Sequence, residues 1–155
     1  MIIAIDPGPT ESAYVKLSGE RIAECAKVSN AELLRMVRSD SGPQIPVVVE
    51  MIASYGMAVG AEVFETCVMI GRICEAAAQE PIRIKRIEVK NHICHNSRAN
   101  DANIRQAIID RYGGKDAAIG KKAKPGPLYG VSGDIWAALA VGLTVLDRDL
   151  LRLVA

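Results

Sequence analysis

Hydrophobic positions along the chain fall into short runs and alternations, separated by breaks rich in Gly, Pro and Ser. Residues 2–6 form an apolar run that ends at Asp6 before Pro7-Gly8-Pro9, the pattern of a buried strand stopped by a turn. Ser12–Leu17 and Arg21–Val28 alternate with a period of two around the turn residues Ser18-Gly19-Glu20, which predicts a three-strand antiparallel meander. Asn30 is placed to cap a helix over Ala31–Arg38, and Ser39-Asp40-Ser41-Gly42-Pro43 breaks the chain before a fourth, buried strand, Ile45–Glu50. The small-residue-rich stretch Ala58–Gln79 lacks proline and predicts a buried or interface helix. Ile82–Val89 then predicts a strand, so that strand, helix and strand make a parallel crossover. His92–Asn100 is polar and predicts a loop, and Asp101–Tyr112 has helical spacing. Gly113–Gly130, rich in Gly, Lys and Pro, predicts a loop mobile in the absence of substrate. A closing helix begins at Ser132 or Asp134 and carries Trp136, Ala137, Leu139, Ala140, Leu143 and Leu146.

Composition bounds the answer. Half of the 155 residues are hydrophobic, enough for one continuous core, and no internal repeat is present, so one α/β domain over residues 1–155 is expected. No apolar run reaches the roughly 18 residues of a membrane span, and the first residues lack the basic flank of a signal peptide. The expectation is a cytoplasmic protein without a membrane partner. The four cysteines (Cys25, Cys67, Cys74, Cys94) show no CxxC pair, which points to buried free thiols. His92, Cys94 and His95 lack the second ligand pair of a structural zinc site.

The net charge of +1 excludes a strongly cationic DNA-coating protein but not a local basic surface. Basic residues gather at Arg83, Lys85, Arg86 and Lys90 and continue through Arg98, Arg105, Arg111, Lys115, Lys121, Lys122 and Lys124. Lys90, Arg98, Arg105, Lys115, Lys121, Lys122 and Lys124 are the candidate phosphate contacts, which would position nucleic acid without reading its sequence.

Asp6 ends the first predicted strand, Glu50 ends the fourth and Asp134 opens the last helix. If the first and fourth strands are neighbours, these side chains can converge. Carboxylates placed together repel unless cations lie between them, and hard oxygen ligands suit Mg²⁺ or Mn²⁺. Two such ions about 3.5–4 Å apart can activate a water and stabilise the leaving oxygen of a phosphodiester. An acid at a strand end or helix start is also a common turn or helix cap, and Asp134 taken singly reads better as a cap than as a ligand.

The blocks Ile3-Ala-Ile-Asp6-Pro-Gly-Pro-Thr10, Val47-Val-Val-Glu50 and Gly133-Asp134-Ile-Trp-Ala-Ala-Leu-Ala140 resemble, in order, the carboxylate-bearing blocks of RuvC-type resolvases, nucleases that cut four-way DNA junctions. The similarity spans nearly the whole chain. It implies a ribonuclease H-like fold, with a mixed five-stranded sheet of three antiparallel and then parallel strands, flanked by helices. It also implies Asp6 bridging two divalent ions, Mg²⁺ or Mn²⁺, with Glu50 and Asp134 completing the ligand set, branched DNA as substrate, a homodimer and no small-molecule cofactor. Such enzymes commonly carry two acids three residues apart before Ala-Leu-Ala. Here Asp134 takes the first place and Ala137 the second, or, in a shifted register, Asp134 takes the second with Val131 or Ser132 near the first. Either register leaves one acid missing from the helix, and Asp101 is the candidate replacement. Tyr55 corresponds loosely to an aromatic that stacks on an opened base. Gly60, Ala61, Gly71 and Ala76–Ala78 would let the long helix approach a partner copy closely. Alternatives are a non-catalytic nucleic-acid-binding module of the same fold, a nuclease acting on RNA-containing substrates, and an ATPase-like domain, the last disfavoured because such proteins pair two lobes.

Overall fold

The computed structural model describes residues 1–54, 56 and 58–154, with side chains through residue 148. Five strands, β1 (Ile2–Asp6), β2 (Glu11–Ser18), β3 (Arg21–Ser29), β4 (Val47–Met51) and β5 (Ile82–Lys85), form one sheet in the order β3-β2-β1-β4-β5. The first three pair antiparallel; β4 and β5 join parallel to β1 and to each other. This is the mixed α/β sheet expected from the sequence. A second, two-stranded sheet pairs residues 120–121 with 124–125.

Central β1 is buried on both faces, which explains its unbroken apolar run. Ile3 and Ile5, with Val47 and Val49, face a layer made by α1 (Asn30–Asp40) and α2 (Ala61–Ala76), whose Leu33, Leu34, Val37, Met69, Ile70 and Ile73 fill that side of the core. Ala4, Ala13, Val15 and Val48 face the opposite layer, made by α3 (Arg86–Cys94), α4 (Asp101–Arg111) and α6 (Ile135–Val154). Helix α6 is the spine of this second layer. Its Gly142 lies so close to the sheet that an added Cβ would stand 2.6 Å from Leu17 Cδ1 and 2.9 Å from Ala4 Cβ.

Several elements differ from the sequence expectation. The cap of α1 is Ser29, whose hydroxyl accepts from Glu32 N–H, while the Asn30 side chain turns back to bind Ser12 Oγ and the Gly8 carbonyl. β5 ends at Lys85 and the chain turns directly into α3, which continues to Cys94, so half of the expected strand and the start of the expected loop are helical. Ile84 and Val89 are both buried, and apolar positions over so short a segment do not separate a strand from a strand followed by a helix. Gly113–Gly130 carries a helical turn, α5 (Lys115–Ala118), and the β6 (Gly120–Lys121)–β7 (Lys124–Pro125) hairpin; Ala118 and Leu128 anchor it in the core. Cys67 is exposed rather than buried, while Cys25, Cys74 and Cys94 are half-buried and free. His92 pairs with Asp147 at 2.7 Å, and Asp147 also receives Arg111. No described helix is long and apolar enough to cross a membrane.

Candidate active site

The sheet register builds the site. Continuing the β1–β4 pairing Ile5↔Val49 by one residue sets Asp6 beside Glu50, and strand alternation turns both onto the face covered by α6. Asp6 also pairs with Ala13, and Ala13 with Lys27, so Lys27 on β3 shares that face. The turn after Asp6 is fixed by Ser12 Oγ accepting from Gly8 N–H and by Asn30 donating to the Gly8 carbonyl.

Helix starts supply the remaining acids. Asn100 caps α4 through a reciprocal pair of hydrogen bonds with Asn103, which leaves Asp101, the first helical residue, free to face the site. Asp134 precedes α6 behind Gly133, whose φ of +50° is a conformation that L side chains rarely adopt. The Asp134 carbonyl accepts from Ala137 and Ala138 N–H, and its carboxylate lies 2.8 Å from Lys27 Nζ.

Asp6, Glu50, Asp101 and Asp134 line one cavity of about 170 Å³ together with Arg86, Ile104, Gly133, Trp136 and Ala137. The sequence-derived acids are therefore gathered, Asp101 included. Burial pushes the Asp6 carboxyl up to about 7, and the neighbouring Glu50 and Asp134 charges add to this, with Arg86 opposing. Glu50 is also raised by burial, against the pull of Arg86. As placed, no three His, Cys, Asp or Glu side chains among the described residues lie close enough to share one metal ion. The cations explain the spacing: Arg86 draws Glu50 and Asp101 to one side, and Lys27 draws Asp134 to the other. Four carboxyl groups around one cavity are hard oxygen donors of the kind that divalent cations prefer, and here three of them are paired with Arg86 and Lys27.

Arg86 and Lys27 are the site residues that sequence reasoning missed. Arg86 was visible only as one of a basic group, and its place two residues after Ile84 becomes meaningful once the Glu50↔Ile84 register is known. Lys27 sits on a strand distant in sequence from every acid and carried no motif. Ala137 lines the cavity where a further acid was sought, and Val131 is buried in the core.

The basic candidates divide. Lys90 on α3 acts electrostatically on Glu50 and so belongs to the site's surroundings. The Arg105 guanidinium stacks 5.1 Å from the centroid of the Trp136 ring, which itself lines the acidic cavity. Arg105 and Lys115 border a shared groove with Ile109 and Ile119. Exposed Lys121, Lys122 and Lys124 crowd the β6–β7 hairpin, and Arg98 is exposed in the α3–α4 loop. Tyr55 lies outside the described residues. On α2, Gly60, Ala61 and Gly71 are exposed beside Phe64 and Val68, whereas Ala76 is buried and Ala77 half-buried against the chain's own core, so those two do not serve the expected small-residue face.

No protein-family model matches the sequence, and no curated protein does either. Among solved structures, the chain is similar to Thermus thermophilus RuvC, with a TM-score of 0.61 and 18% identity over 96% of this chain and 95% of that one. It is similar to the same degree to T. thermophilus RuvC in complex with a Holliday junction substrate, with a TM-score of 0.61 and 17% identity over 96% of this chain and 94% of that one. The fold is thus the ribonuclease H-like fold of RuvC, and it extends over nearly the whole chain.

Proposed function

We propose that this chain is a divalent-metal-dependent endonuclease that resolves four-way and other branched DNA junctions by phosphodiester hydrolysis, acting as one nuclease domain in the cytoplasm. The observation that carries the reading is the convergence of Asp6, Glu50, Asp101 and Asp134 on one cavity at the C-terminal ends of the parallel strands β1 and β4. The shared fold with RuvC, seen elsewhere bound to a Holliday junction, supports branched DNA as the substrate class.

Asp6, Glu50 and Asp134 would hold Mg²⁺ or Mn²⁺, with Asp101 as the further acid. When bound, the metal supplies Lewis-acid stabilisation of the phosphate and lowers the pKa of an attacking water. The chain's own groups do the rest. Asp6 and Glu50, held rigidly by neighbouring strands, keep acceptor oxygens at the cavity floor. Trp136 walls the cavity and supports Arg105 at its rim. Arg105, Lys115, the hairpin lysines and Arg98 bind backbone phosphates and set the register of the duplex arms, and Lys90 adds positive potential beside Glu50.

A homodimer is part of the proposal, because paired cuts in a two-fold junction need two sites on one axis. Phe64 and Val68, 61% and 58% exposed on α2, are the apolar residues available for that contact. Light scattering at micromolar concentration should give twice the chain mass, and a monomeric mass would remove the dimer from the proposal.

The test is cleavage of a labelled four-way junction and a matched linear duplex with Mg²⁺, Mn²⁺ or EDTA, for wild type and Asp6→Asn. Metal-dependent paired nicks in the junction alone, lost in Asp6→Asn while binding persists, support the reading. Tight junction binding without cleavage would favour a non-catalytic binding module, the second reading that Ala137 keeps open; cleavage confined to RNA-containing substrates would instead change the substrate class.

A further inference from the structure

The site already contains a permanent positive charge. Arg86 is the first residue of α3, delivered directly from β5, and the pairing of β5 with β4 places it beside Glu50. One guanidinium nitrogen lies 3.3 Å from Glu50 Oε2, and the other donates to Asp101 Oδ1. The Arg86 side chain is 27% exposed and that of Asp101 85%, so the bridge runs from the interior to the mouth of the cavity. Arg86 also borders, with Asp6 and Glu50, a second cavity of about 350 Å³ lined by Pro7, Ile52 and Thr66. It therefore stands between two chambers.

The acids divide accordingly. Glu50 and Asp101 are held by Arg86, Asp134 is held by Lys27, and the α6 residue facing the cavity one turn later is Ala137, which offers no ligand. A second divalent ion would find only Glu50 and Asp101, both already engaged by a guanidinium that does not deprotonate in proteins. One divalent ion, together with Arg86 and Lys27, matches the four carboxylates charge for charge.

We propose that Arg86 is a catalytic residue serving as the site's second cation, standing between Glu50 and Asp101 where another divalent ion would otherwise be held, so that each chain binds one ion. This rests on the metal-dependent nuclease reading and replaces its expected pair of ions. A guanidinium has five N–H donors, so the bonds to Glu50 and Asp101 leave others for a non-bridging phosphate oxygen, where charge grows as the phosphodiester is attacked by water and the leaving oxygen departs with a proton.

Mn²⁺ binding, followed by the loss of the free-ion paramagnetic resonance signal, tests this on the whole chain without DNA, for wild type, Arg86→Gln, Arg86→Lys and Asp6→Asn. Thermal melts establish that each variant is folded. Wild type and Arg86→Lys should bind one ion per chain and Arg86→Gln two. Junction cleavage should fall about 100-fold in Arg86→Gln, the usual scale for removal of one charge-stabilising donor, and recover in part as Mn²⁺ is raised. Arg86→Lys should cleave at an intermediate rate. Two ions in wild type, or unchanged stoichiometry and cleavage in Arg86→Gln while Asp6→Asn loses both, would overturn the role of Arg86 and leave the nuclease reading standing. No Mn²⁺ bound by wild type would overturn the metal-dependent reading and this inference with it.

Discussion

Replacing Asp6 with Asn should make the metal-free protein more stable while abolishing metal-dependent activity. Burial and the Glu50 and Asp134 carboxylates raise the Asp6 carboxyl from 3.8 to about 7. The folded state therefore holds the Asp6 proton more tightly than the unfolded chain does. Stability from this group is fully present below its unfolded value and is lost as pH rises through about 7. At about 1.4 kcal/mol for each tenfold change in proton affinity, the upper bound on that loss is about 4 kcal/mol. Relaxation of neighbouring side chains and entry of water reduce it to about 2–3 kcal/mol, the size expected in the assay. Asn keeps the shape and removes the charge. In EDTA at pH 8 the variant should melt about 4–12 °C above wild type, at about 2–4 °C per kcal/mol for a chain of this size. The gap should narrow through pH 6 and 5 and close near pH 4. Adding Mn²⁺ should reverse the order, since an ion that binds only the folded wild type stabilises it by about 4 kcal/mol at about a thousand times its dissociation constant, more than the advantage of the variant. A melting temperature for Asp6→Asn at or below that of wild type in EDTA at pH 8 would refute the reasoning, because it would mean that the ionised carboxylate is not strained by its neighbours.

Three other perturbations address the frame around the site. Gly142→Val should destabilise by about 3 kcal/mol in urea unfolding, because its Cβ meets Leu17 and Ala4 below van der Waals distance. Asp147→Asn should lose about 1–3 kcal/mol at pH 7 through its bonds to Arg111 and His92. These partners hold Asp147 below the ordinary carboxylate range, chiefly through Arg111, so the contribution is present above 3.8 and the variant's deficit should vanish as pH falls below it. The combined change of Lys121, Lys122 and Lys124 to Ala should weaken junction binding and flatten its salt dependence by about 0.9 in slope for each phosphate no longer neutralised, without changing metal affinity. An unchanged salt slope, measured by anisotropy over a salt series, would place the DNA elsewhere.

The strands, the meander, the parallel crossover and three acids were legible in the amino-acid order alone, because these depend on local pattern: period-two alternation, a doubly buried apolar run, and carboxylates at element ends beside Pro and Gly. The end of β5 was not, since the apolar positions Ile82, Ile84, Ile87 and Val89 are too few to separate a short strand from the start of a helix. Nor could local pattern choose between Ser29 and Asn30 as a cap, because Asn30 is drawn away by Ser12 and Gly8, partners about twenty residues distant in sequence. The electrostatics of the site were the least legible part. Asp6, Ala13 and Lys27 form one row only after three strands have paired, and Arg86 meets Glu50 only through the β4–β5 register. Acids at strand ends announce themselves through neighbouring turn residues, whereas a cation that neutralises them is selected by distance in space, and that distance exists only in the folded chain.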